Sequence, residues 1–545
     1  MRSPSPAKKA ASQSGHDLVN YQWINQFALI SGKLGGKAYE FPGQGIIRST
    51  DPGMSKVTLP TNRDQAVRYL YERINYERRI HVPYSERNFK LDRMRRLAER
   101  LGNPQEQLNI VHVAGTKGKG STSTMLASIL TSAGKKTGLF TSPHLQRLEE
   151  RIVIDGEEIS GDRLTAIVCD IIPVIESMEV DDPVDNRPTF FEIVTAIAFV
   201  HFQQQEVGNV VLEVGLGGRL DSSNICHPKL CIITEIDLDH TRQLGDTLEK
   251  IAGEKAGIIK PGVPVVCGAT KPAAVAVIRD RARELGSEIF MLGDSFGFQH
   301  VASKPGQPPA EKEQAPTKPG RAESFKPFET IEFTCDDSLG GSHTNLESVA
   351  ISMMGQHQAA NASMALAAVN VLQSHGLELS EPQLRDGLVR ASCRGRVELV
   401  ARSPAVILDV GHNEASIRAL TETLARHFPQ EPADRVVVFA TTKGKDVEAM
   451  LRILLPWCGQ LIVTKYQDNP RGCSTGSILR IAEHLVYELL FSSDSLSSLA
   501  KVSSEEQPSD AWAAAMELST KDSLVCITGS FFLAAELESL ARNSK

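Results

Sequence analysis

The sequence predicts an α/β protein made of two units, each with a mostly parallel β-sheet, and three observations support this fold class. Short runs rich in β-branched residues alternate with longer segments in which apolar residues recur every three or four positions. The short runs are apolar throughout, as in parallel strands that helices cover on both faces. The alternation stops and restarts near residues 398–404, which divides the 545-residue chain into a larger and a smaller unit.

The segment before this pattern, residues 1–60, is rich in Gly, Ser and Pro and has little periodicity. We expect a flexible N-terminal tail, although its basic, Ser-rich opening MRSPSPAKKAASQSG is also compatible with a transit peptide. Helical spacing begins at Asp64, and the run from Leu101 to Pro104 supplies a helix stop.

Strands and helices are then expected in alternation. In the first unit the predicted strands are Asn109–Ala114, Asn209–Val214, Leu230–Ile236 and Val263–Cys267, with helices at Thr122–Ala133 and Phe191–Gln204. In the second unit they are Ala405–Val410, Val436–Ala440, Leu461–Thr464 and Leu524–Thr528. These patterns predict domains over residues 61–398 and 399–545. Two polar segments, 303–330 and 492–510, are interpreted as mobile surface insertions with too few apolar residues to fold alone.

Composition restricts the class of protein. The formal net charge of −7 argues against nucleic-acid binding through bulk charge. Nine dispersed cysteines without a CxxC pair indicate reduced thiols rather than disulfides or a zinc site, so a cytoplasmic protein is expected. No apolar run approaches the roughly 20 residues of a membrane helix, and no secretory signal opens the chain.

A phosphate-binding loop is the sharpest feature. It follows the first predicted strand, opens a helix, and comprises Gly115, Thr116, Lys117, Gly118, Lys119, Gly120 and Ser121. Glycines let backbone N–H groups converge on phosphate, a lysine such as Lys119 can reach the β- and γ-phosphates, and the Ser121 hydroxyl can bind Mg²⁺. The strict GxxxxGK[ST] pattern is broken by Val113 and by Gly120, so a Gly-rich turn without a ligand is the alternative.

Two further side chains follow predicted strands. Glu213 ends one strand and His240 lies just beyond another, so both are expected at the carboxyl edge of the sheet together with the loop. A carboxylate suits Mg²⁺, whereas histidine is a less usual ligand for so hard an ion. Taken alone, Glu213 is equally compatible with a buried acid, and His240 is more typical of an ordinary turn histidine.

A lysine lies on an apolar helical stripe. Leu248, Ile251, Lys255 and Ile258 are three or four residues apart. Either Lys255 extends its amine to water along the helix, or the amine is desolvated and its pKa is lowered.

The loop resembles the ATP loop of the Mur ligase superfamily, and the wider sequence resembles the folylpolyglutamate synthase/dihydrofolate synthase family. The matching stretches, in order, are LGNPQEQLNIVHVAGTKGKGST, FTSPHLQRLEERI, TFFEIVTAIAFVHF, EVGLGGRLDSSN, DLDHTRQLG, EKAGIIKPGVPVV and GQHQAANASMA. The resemblance covers about residues 64–535 and implies a P-loop-containing ATPase domain followed by a smaller Rossmann-like domain. It also implies ATP and two Mg²⁺ ions, with Ser121, Glu213 and His240 as metal ligands. At the EKAG position it implies a carbamylated lysine, here Lys255.

The resemblance assigns further residues by position. Asn361 lies in the adenine-contact motif with Gln356 and His357, and Arg396 keeps its place in a domain-junction motif from which the usual proline is missing. Asp409, His412 and Asn413 match a DGAHNP motif in which Val410, Gly411 and Glu414 depart from the pattern. His412 and Ser530 are expected to contact glutamate, and Lys443–Asp446, whose alignment is uncertain, receives no role. For the pterin side we expect Ser142, His144, and either Arg219 or Asp221, which can equally be surface-loop residues.

The implied reaction joins L-glutamate to a folate or dihydropteroate carboxylate through an acyl phosphate, in a monomer without nucleic-acid or membrane partners. Lys119 stabilises the transferring phosphoryl group, and His412 or Asp409 accepts the proton of the amine. The sequence leaves mono- and bifunctional enzymes open. A cell-wall Mur ligase would need a separate N-terminal UDP-binding domain, and a non-catalytic nucleotide-binding protein would be favoured by loss of Lys119, Glu213 or His240, all of which are present.

Overall fold

Two large β-sheets organise the chain, one in an N-terminal region (residues 60–397) and one in a C-terminal region (residues 398–543). The structure, a computed structural model, describes residues 58–77, 91–181, 187–301, 329–467, 469–492 and 500–543. Residues 1–57 of the expected tail and 303–328 of the first expected insertion lie outside the described residues. The last two residues of that insertion, Glu329 and Thr330, instead begin a β-strand. From Pro60 onward the chain forms one compact unit.

The first sheet has eight strands in the order β4-β3-β2-β5-β1-β6-β7-β8. Its strands are β1 (Asn109–Ala114), β2 (Thr137–Phe140), β3 (Ile152–Ile154), β4 (Glu157–Glu158), β5 (Asn209–Glu213), β6 (Leu230–Ile233), β7 (Val265–Cys267) and β8 (Ile289–Met291). Pairing is parallel from β2 to β8, and only β3 and β4 are antiparallel. The predicted parallel sheet is therefore confirmed.

Helices cover this sheet, and a smaller sheet follows it. The helices are α1 (Arg63–Tyr71), α2 (Leu91–Arg100), α3 (Lys119–Ser132), α4 (Gly161–Asp181), α5 (Phe190–Gln204), α6 (Thr241–Leu244), α7 (Leu248–Ala256), α8 (Pro272–Glu284), α9 (Gln356–Ser374) and α10 (Glu381–Arg390). The smaller sheet is antiparallel and contains β9 (Phe296–Val301), β10 (Glu329–Cys335) and β11 (Asn345–Ile351). Helix α3 packs tightly on α10, because a Cβ added at Gly387 would lie 2.4 Å from the Cα of Ile129.

The C-terminal sheet has six strands in the order β12-β13-β17-β14-β15-β16. They are β12 (Glu398–Arg402), β13 (Ala405–Leu408), β14 (Arg435–Phe439), β15 (Gln460–Val463), β16 (Lys501–Ser504) and β17 (Leu524–Thr528). All pair in parallel except β12. The helices are α11 (Glu414–His427), α12 (Val447–Trp457), α13 (Thr475–Ser492), α14 (Pro508–Glu517) and α15 (Phe531–Arg542).

The second expected insertion is also wrong in part. The segment 492–510 was expected to be an insertion, but Lys501–Ser504 forms edge strand β16 and helix α14 begins at Pro508. Strand β16 is mostly exposed and polar, and its backbone hydrogen bonds to β15 supply the order that its side chains do not. Among the described residues, no helix combines the length and apolar character needed to cross a bilayer.

Candidate functional site

The predicted phosphate loop connects β1 to α3 at the carboxyl edge of the first sheet. Gly118 caps α3 with a φ of +89°, a left-handed conformation that favours glycine. A Cβ at this position would lie 2.1 Å from Oδ1 of Asn361, so helix α9 packs its predicted nucleotide residue directly against the loop. The N–H groups of Thr116 and Lys117 donate to the carbonyl of Glu235 at 2.9 and 3.2 Å. Strand β6 ends at Ile233, earlier than predicted, because its partner strand β1 ends opposite it at Ala114.

The two loop lysines have different surroundings. Lys117 forms an ion pair with Asp237 (Nζ–Oδ2 2.5 Å), which also pairs with Lys271, and this contact fastens the loop to the segment after β6. Lys119 stands in the first turn of α3, and its charge helps to lower the pKa values of His240 and Lys255. Lys119 is therefore the loop lysine that faces the other predicted site residues.

Glu213 lies beside the loop, as predicted. Its side chain is buried, one carboxylate oxygen accepts the N–H of Ser142 at 3.1 Å, and a Cβ at Gly120 would lie 3.6 Å from that same oxygen. Burial raises the pKa of Glu213, while the nearby charges of Lys119 and Arg396 act in the opposite direction. Ser121 is also buried in the first turn of α3.

His240 occupies the turn after β6 with a φ of +50° and precedes helix α6. The residue keeps an exposed surface, but the groups packed around it partly desolvate the imidazole and lower its pKa. The carboxylate of Asp239 opposes this shift, and the charges of Lys445 and Lys119 add to it. Asp239 forms an ion pair with Lys445 of the C-terminal region (Oδ1–Nζ 3.0 Å). His240 thus lies where the two regions meet.

Lys255 does not extend its amine to water. The residue is only 4% exposed, and Nζ donates to the carbonyl of Gly115 in the phosphate loop at 2.7 Å. Burial and the neighbouring charge of Lys119 lower its pKa to about 7. The desolvated lysine, one of the two interpretations open from the sequence, is therefore confirmed.

The junction between the regions is organised by Asp409. This buried carboxylate accepts the N–H of Gly411 at 2.7 Å and of Val397 at 3.1 Å. Arg396, between these elements, is half-buried, and its charge acts on the carboxyls of both Glu213 and Asp409. The structure therefore brings Arg396 to the same cleft as Glu213.

His412 follows this junction. Its Nδ1 lies 3.0 Å from the carbonyl oxygen of Val410, so Nδ1–H donates and Nε2 is left as the acceptor nitrogen. Burial, together with the charge of Lys445, lowers the pKa of His412. Ser530 caps helix α15, where its Oγ accepts the N–H of Phe532 at 3.1 Å, and its side chain also hydrogen-bonds with Tyr466.

The predicted pterin-side residues fall into two groups. His144 lies between the hydroxyl of Tyr71 (3.0 Å) and Nε of Arg151 (2.7 Å), close to Ser142 in the chain. Arg219 pairs with Glu254 at 3.0 Å and is 45% exposed.

Asp221 is buried in its own loop. It accepts the N–H groups of Gly215, Leu216 and Ser223 at 3.0–3.1 Å, and the Ser223 hydroxyl at 2.5 Å. These four contacts stabilise the Gly215–Asn224 loop, so the carboxylate is directed at its own backbone.

Sequence reasoning missed several residues of this site. Asp237 and Asp239 lie in the DLDHTRQLG stretch, and Arg151 lies in FTSPHLQRLEERI, yet none received a role. Lys445 belongs to the segment left unassigned. The role of each of these residues depends on a partner that is distant in the chain. A single sequence does not reveal such partners.

Two family models match the chain: "Mur ligase middle domain" over residues 113–293 and "Mur ligase, glutamate ligase domain" over residues 395–531. The dihydrofolate synthase/folylpolyglutamate synthase of Bacillus subtilis is 38% identical, over 67% of this chain and 78% of that protein. The Escherichia coli enzyme of the same name is 32% identical, over 82% of this chain and 90% of its own length. A crystal structure of Mycobacterium tuberculosis folylpolyglutamate synthase with ADP and AMPPCP superposes with a TM-score of 0.72 at 27% identity, covering 88% of this chain and 98% of that one. The chain belongs to the folylpolyglutamate synthase/dihydrofolate synthase family of Mur ligases.

Proposed function

We propose that the protein is an ATP-dependent ligase that adds L-glutamate to folates and, as a second activity, to dihydropteroate. The observation that carries the proposal is the convergence of Lys119, Glu213 and His240 with His412 of the C-terminal region at one cleft. The double name of the Bacillus subtilis and Escherichia coli relatives favours the second activity.

The residues present suit a magnesium nucleotide. A Cβ at Gly115 would collide with Thr234, and a Cβ at Gly118 would collide with Asn361. Because glycine has no Cβ, the phosphate loop can pack this closely while its backbone N–H groups approach phosphate. Ser121 and the carboxylate of Glu213 would supply oxygen ligands for Mg²⁺, and His240 stands at the same edge. Bound there, Mg²⁺ would neutralise phosphate charge; two ions, as expected from the sequence, would require an additional anionic ligand.

Lys255 is our proposed source of that ligand. Burial lowers the pKa of this amine to about 7, which raises its neutral fraction above that of an exposed lysine. The neutral nitrogen can attack CO₂ and lose a proton to give a carbamate anion. We expect Lys255→Ala to lose most activity and bicarbonate to restore part of it. Lys250→Ala, on the exposed face of the same helix, is the matched control. Full activity of Lys255→Ala, or no rescue, would refute the carbamate.

The chain's own residues then account for each step. Lys119 stabilises the γ-phosphoryl group as the folate carboxylate attacks it and ADP leaves, giving an acyl phosphate. The glutamate amine attacks the acyl carbon and expels phosphate. Nε2 of His412 is free to accept the amine proton, because Nδ1–H is bound to Val410. Closure of the two regions excludes water from the acyl phosphate.

Our proposal reassigns two of the roles considered from sequence. Asp409 uses both carboxylate oxygens on backbone N–H groups, so we assign it to holding the His412 loop rather than to proton transfer. Asp221 is assigned to its own loop, which leaves Arg219 with Ser142 and His144 as the proposed pterin-side residues. Thr116, Lys117, Gly120, Asn361 and Arg396 remain proposed nucleotide residues, and Ser530 a proposed glutamate contact. A cytoplasmic monomer remains a prediction.

The deciding experiment measures ADP release and labelled-glutamate incorporation by the purified protein with ATP and either tetrahydrofolate or dihydropteroate. Incorporation with both substrates establishes two activities. ATP binding without folate-dependent ADP release would favour a non-catalytic nucleotide-binding protein instead. His412→Ala should lower glutamate incorporation at least tenfold while ATP binding is retained.

A further inference from the structure

A buried carboxylate outside the proposed site joins three separate elements. Glu329, the first residue of β10, is fully buried. Its Oε2 accepts from Nε2 of His300 at 2.6 Å, and its Oε1 accepts from Nε2 of His427 at 2.7 Å and from the N–H of Gly355 at 2.7 Å. A buried carboxylate is tolerated only with such partners, so these contacts specify one arrangement of the elements that supply them.

The three partners come from different places in the fold. His300 lies on β9 of the small sheet, in the N-terminal region. Gly355 is the residue from which nucleotide helix α9 starts. His427 is the last residue of α11 and belongs to the C-terminal region. The Glu329–His427 contact therefore crosses between the regions, whereas Glu329–His300 stays within one of them.

Both helices that meet at Glu329 lead to the proposed catalytic cleft. Helix α9 carries Asn361 against the phosphate loop. Helix α11 has 14 residues, about 21 Å at 1.5 Å per residue, and its first turn follows His412 and Asn413. The two helices also touch directly, because a Cβ at Gly355 would lie 2.7 Å from Oγ1 of Thr423.

We propose that Glu329 is a positioning residue for the ligase reaction. Through His427 it fixes the C-terminal end of α11, the helix that follows His412, relative to nucleotide helix α9. His412 and the phosphate loop are thereby held at a fixed separation. The inference rests on the proposed function and adds to it a residue that touches neither substrate nor nucleotide.

The test compares His427→Phe with His300→Phe. Each variant keeps an aromatic ring and removes one imidazole donor to the same carboxylate, but only the first breaks the contact between the regions. We expect His427→Phe to lower kcat at least tenfold with the Kd for ATP changed less than twofold. His300→Phe should keep kcat within about threefold of the wild type, and His427→Gln, which retains an N–H donor, should recover part of kcat.

Hydrogen exchange supplies a readout that does not depend on turnover. His427→Phe should speed exchange in α11 and at the start of α9, whereas His300→Phe should speed it in β9 and β10. Equal losses of kcat in the two Phe variants, or faster exchange confined to the same segments in both, would overturn the proposal. A wild-type protein without folate-dependent ADP release would refute the proposed function, and the exchange comparison would still decide whether Glu329 couples the helices.

Discussion

Nζ of Lys445 lies 3.0 Å from Oδ1 of Asp239, and this ion pair joins the C-terminal region to the residue that precedes His240. Both side chains are largely buried, at 22% and 15% exposure. The charge of Lys445 also contributes to the lowered pKa values of His240 and His412. This contact therefore both helps to join the two regions and contributes to the electrostatics of the cleft.

Breaking this pair should impair catalysis more than folding. We expect Lys445→Gln to lower kcat/KM for glutamate at least tenfold, because the remaining Asp239 carboxylate is left without its partner in a partly desolvated cleft. Lys443→Gln, a change of the same charge at an exposed position two residues away, is the control and should stay within about twofold. Steady-state kinetics with varied glutamate would make this comparison, and equal effects of the two substitutions would contradict it.

Gly118 provides a test of the phosphate loop. Gly118→Ala places a Cβ 2.1 Å from Oδ1 of Asn361, so we expect ATP affinity to fall at least tenfold. Gly134→Ala is the matched control, because Gly134 also has a positive φ (+73°) but has open space around its Cβ position. Both variants carry a backbone strain of about 1 kcal/mol, so only the collision distinguishes them. Titration calorimetry with a non-hydrolysable ATP analogue measures the difference, and equal affinities would refute the close packing.

Much of this architecture was predictable from local pattern. Strands β1 and β17 have the predicted bounds, because continuous apolar runs specify buried parallel strands. Glu213 and His240 were expected together, because the carboxyl ends of neighbouring parallel strands meet at one edge of a sheet. Strand β16 was missed because its side chains are polar and its order comes from backbone pairing with β15.

Contacts distant in sequence were not predictable. Arg219 and Asp221 looked equivalent in the sequence, yet Arg219 is exposed and paired with Glu254, and Asp221 is buried within its loop. The distinction depends on which way each side chain points, and the loop's hydrogen bonds decide that. The Glu329–His427 contact spans 98 positions, and no motif marks it.

Arg219 and Asp221 should respond differently to substitution. Asp221→Asn replaces one of the two carboxylate oxygens, each of which accepts two hydrogen bonds, by an NH₂ group that cannot accept from backbone N–H. We therefore expect a loss of about 2–4 kcal/mol in the free energy of unfolding. Arg219→Gln removes an exposed ion pair and should change stability by less than about 1 kcal/mol, while raising KM for the folate. Urea unfolding and steady-state kinetics of both variants would test this. A KM unchanged by Arg219→Gln would remove Arg219 from the substrate site.

The stability contributed by Glu329 should depend on pH in a defined window. Burial raises the pKa of this carboxyl, but the hydrogen bonds from His427 and His300, which face it from two elements, prevail and lower it to about 2. Because the folded pKa lies below the unfolded value of about 4.5, the contribution is complete above pH 4.5 and is lost as the pH falls towards 2. A difference of this size corresponds to about 3 kcal/mol at pH 7, from about 1.4 kcal/mol per pKa unit.

Glu329→Gln should therefore destabilise the protein by up to about 3 kcal/mol at pH 7. At pH 4 the destabilisation should be about 1 kcal/mol smaller, because the wild-type carboxylate has already lost part of its stabilising contribution there. Urea unfolding at the two pH values measures both differences. Glu332→Gln, on the same strand but outside the two histidine contacts, is the control and should change the free energy of unfolding less at pH 7. If Glu329→Gln lowered the free energy of unfolding equally at pH 7 and pH 4, the charge of the carboxylate would not contribute to stability. Its hydrogen bonds to His300, His427 and Gly355 would then act only through their geometry.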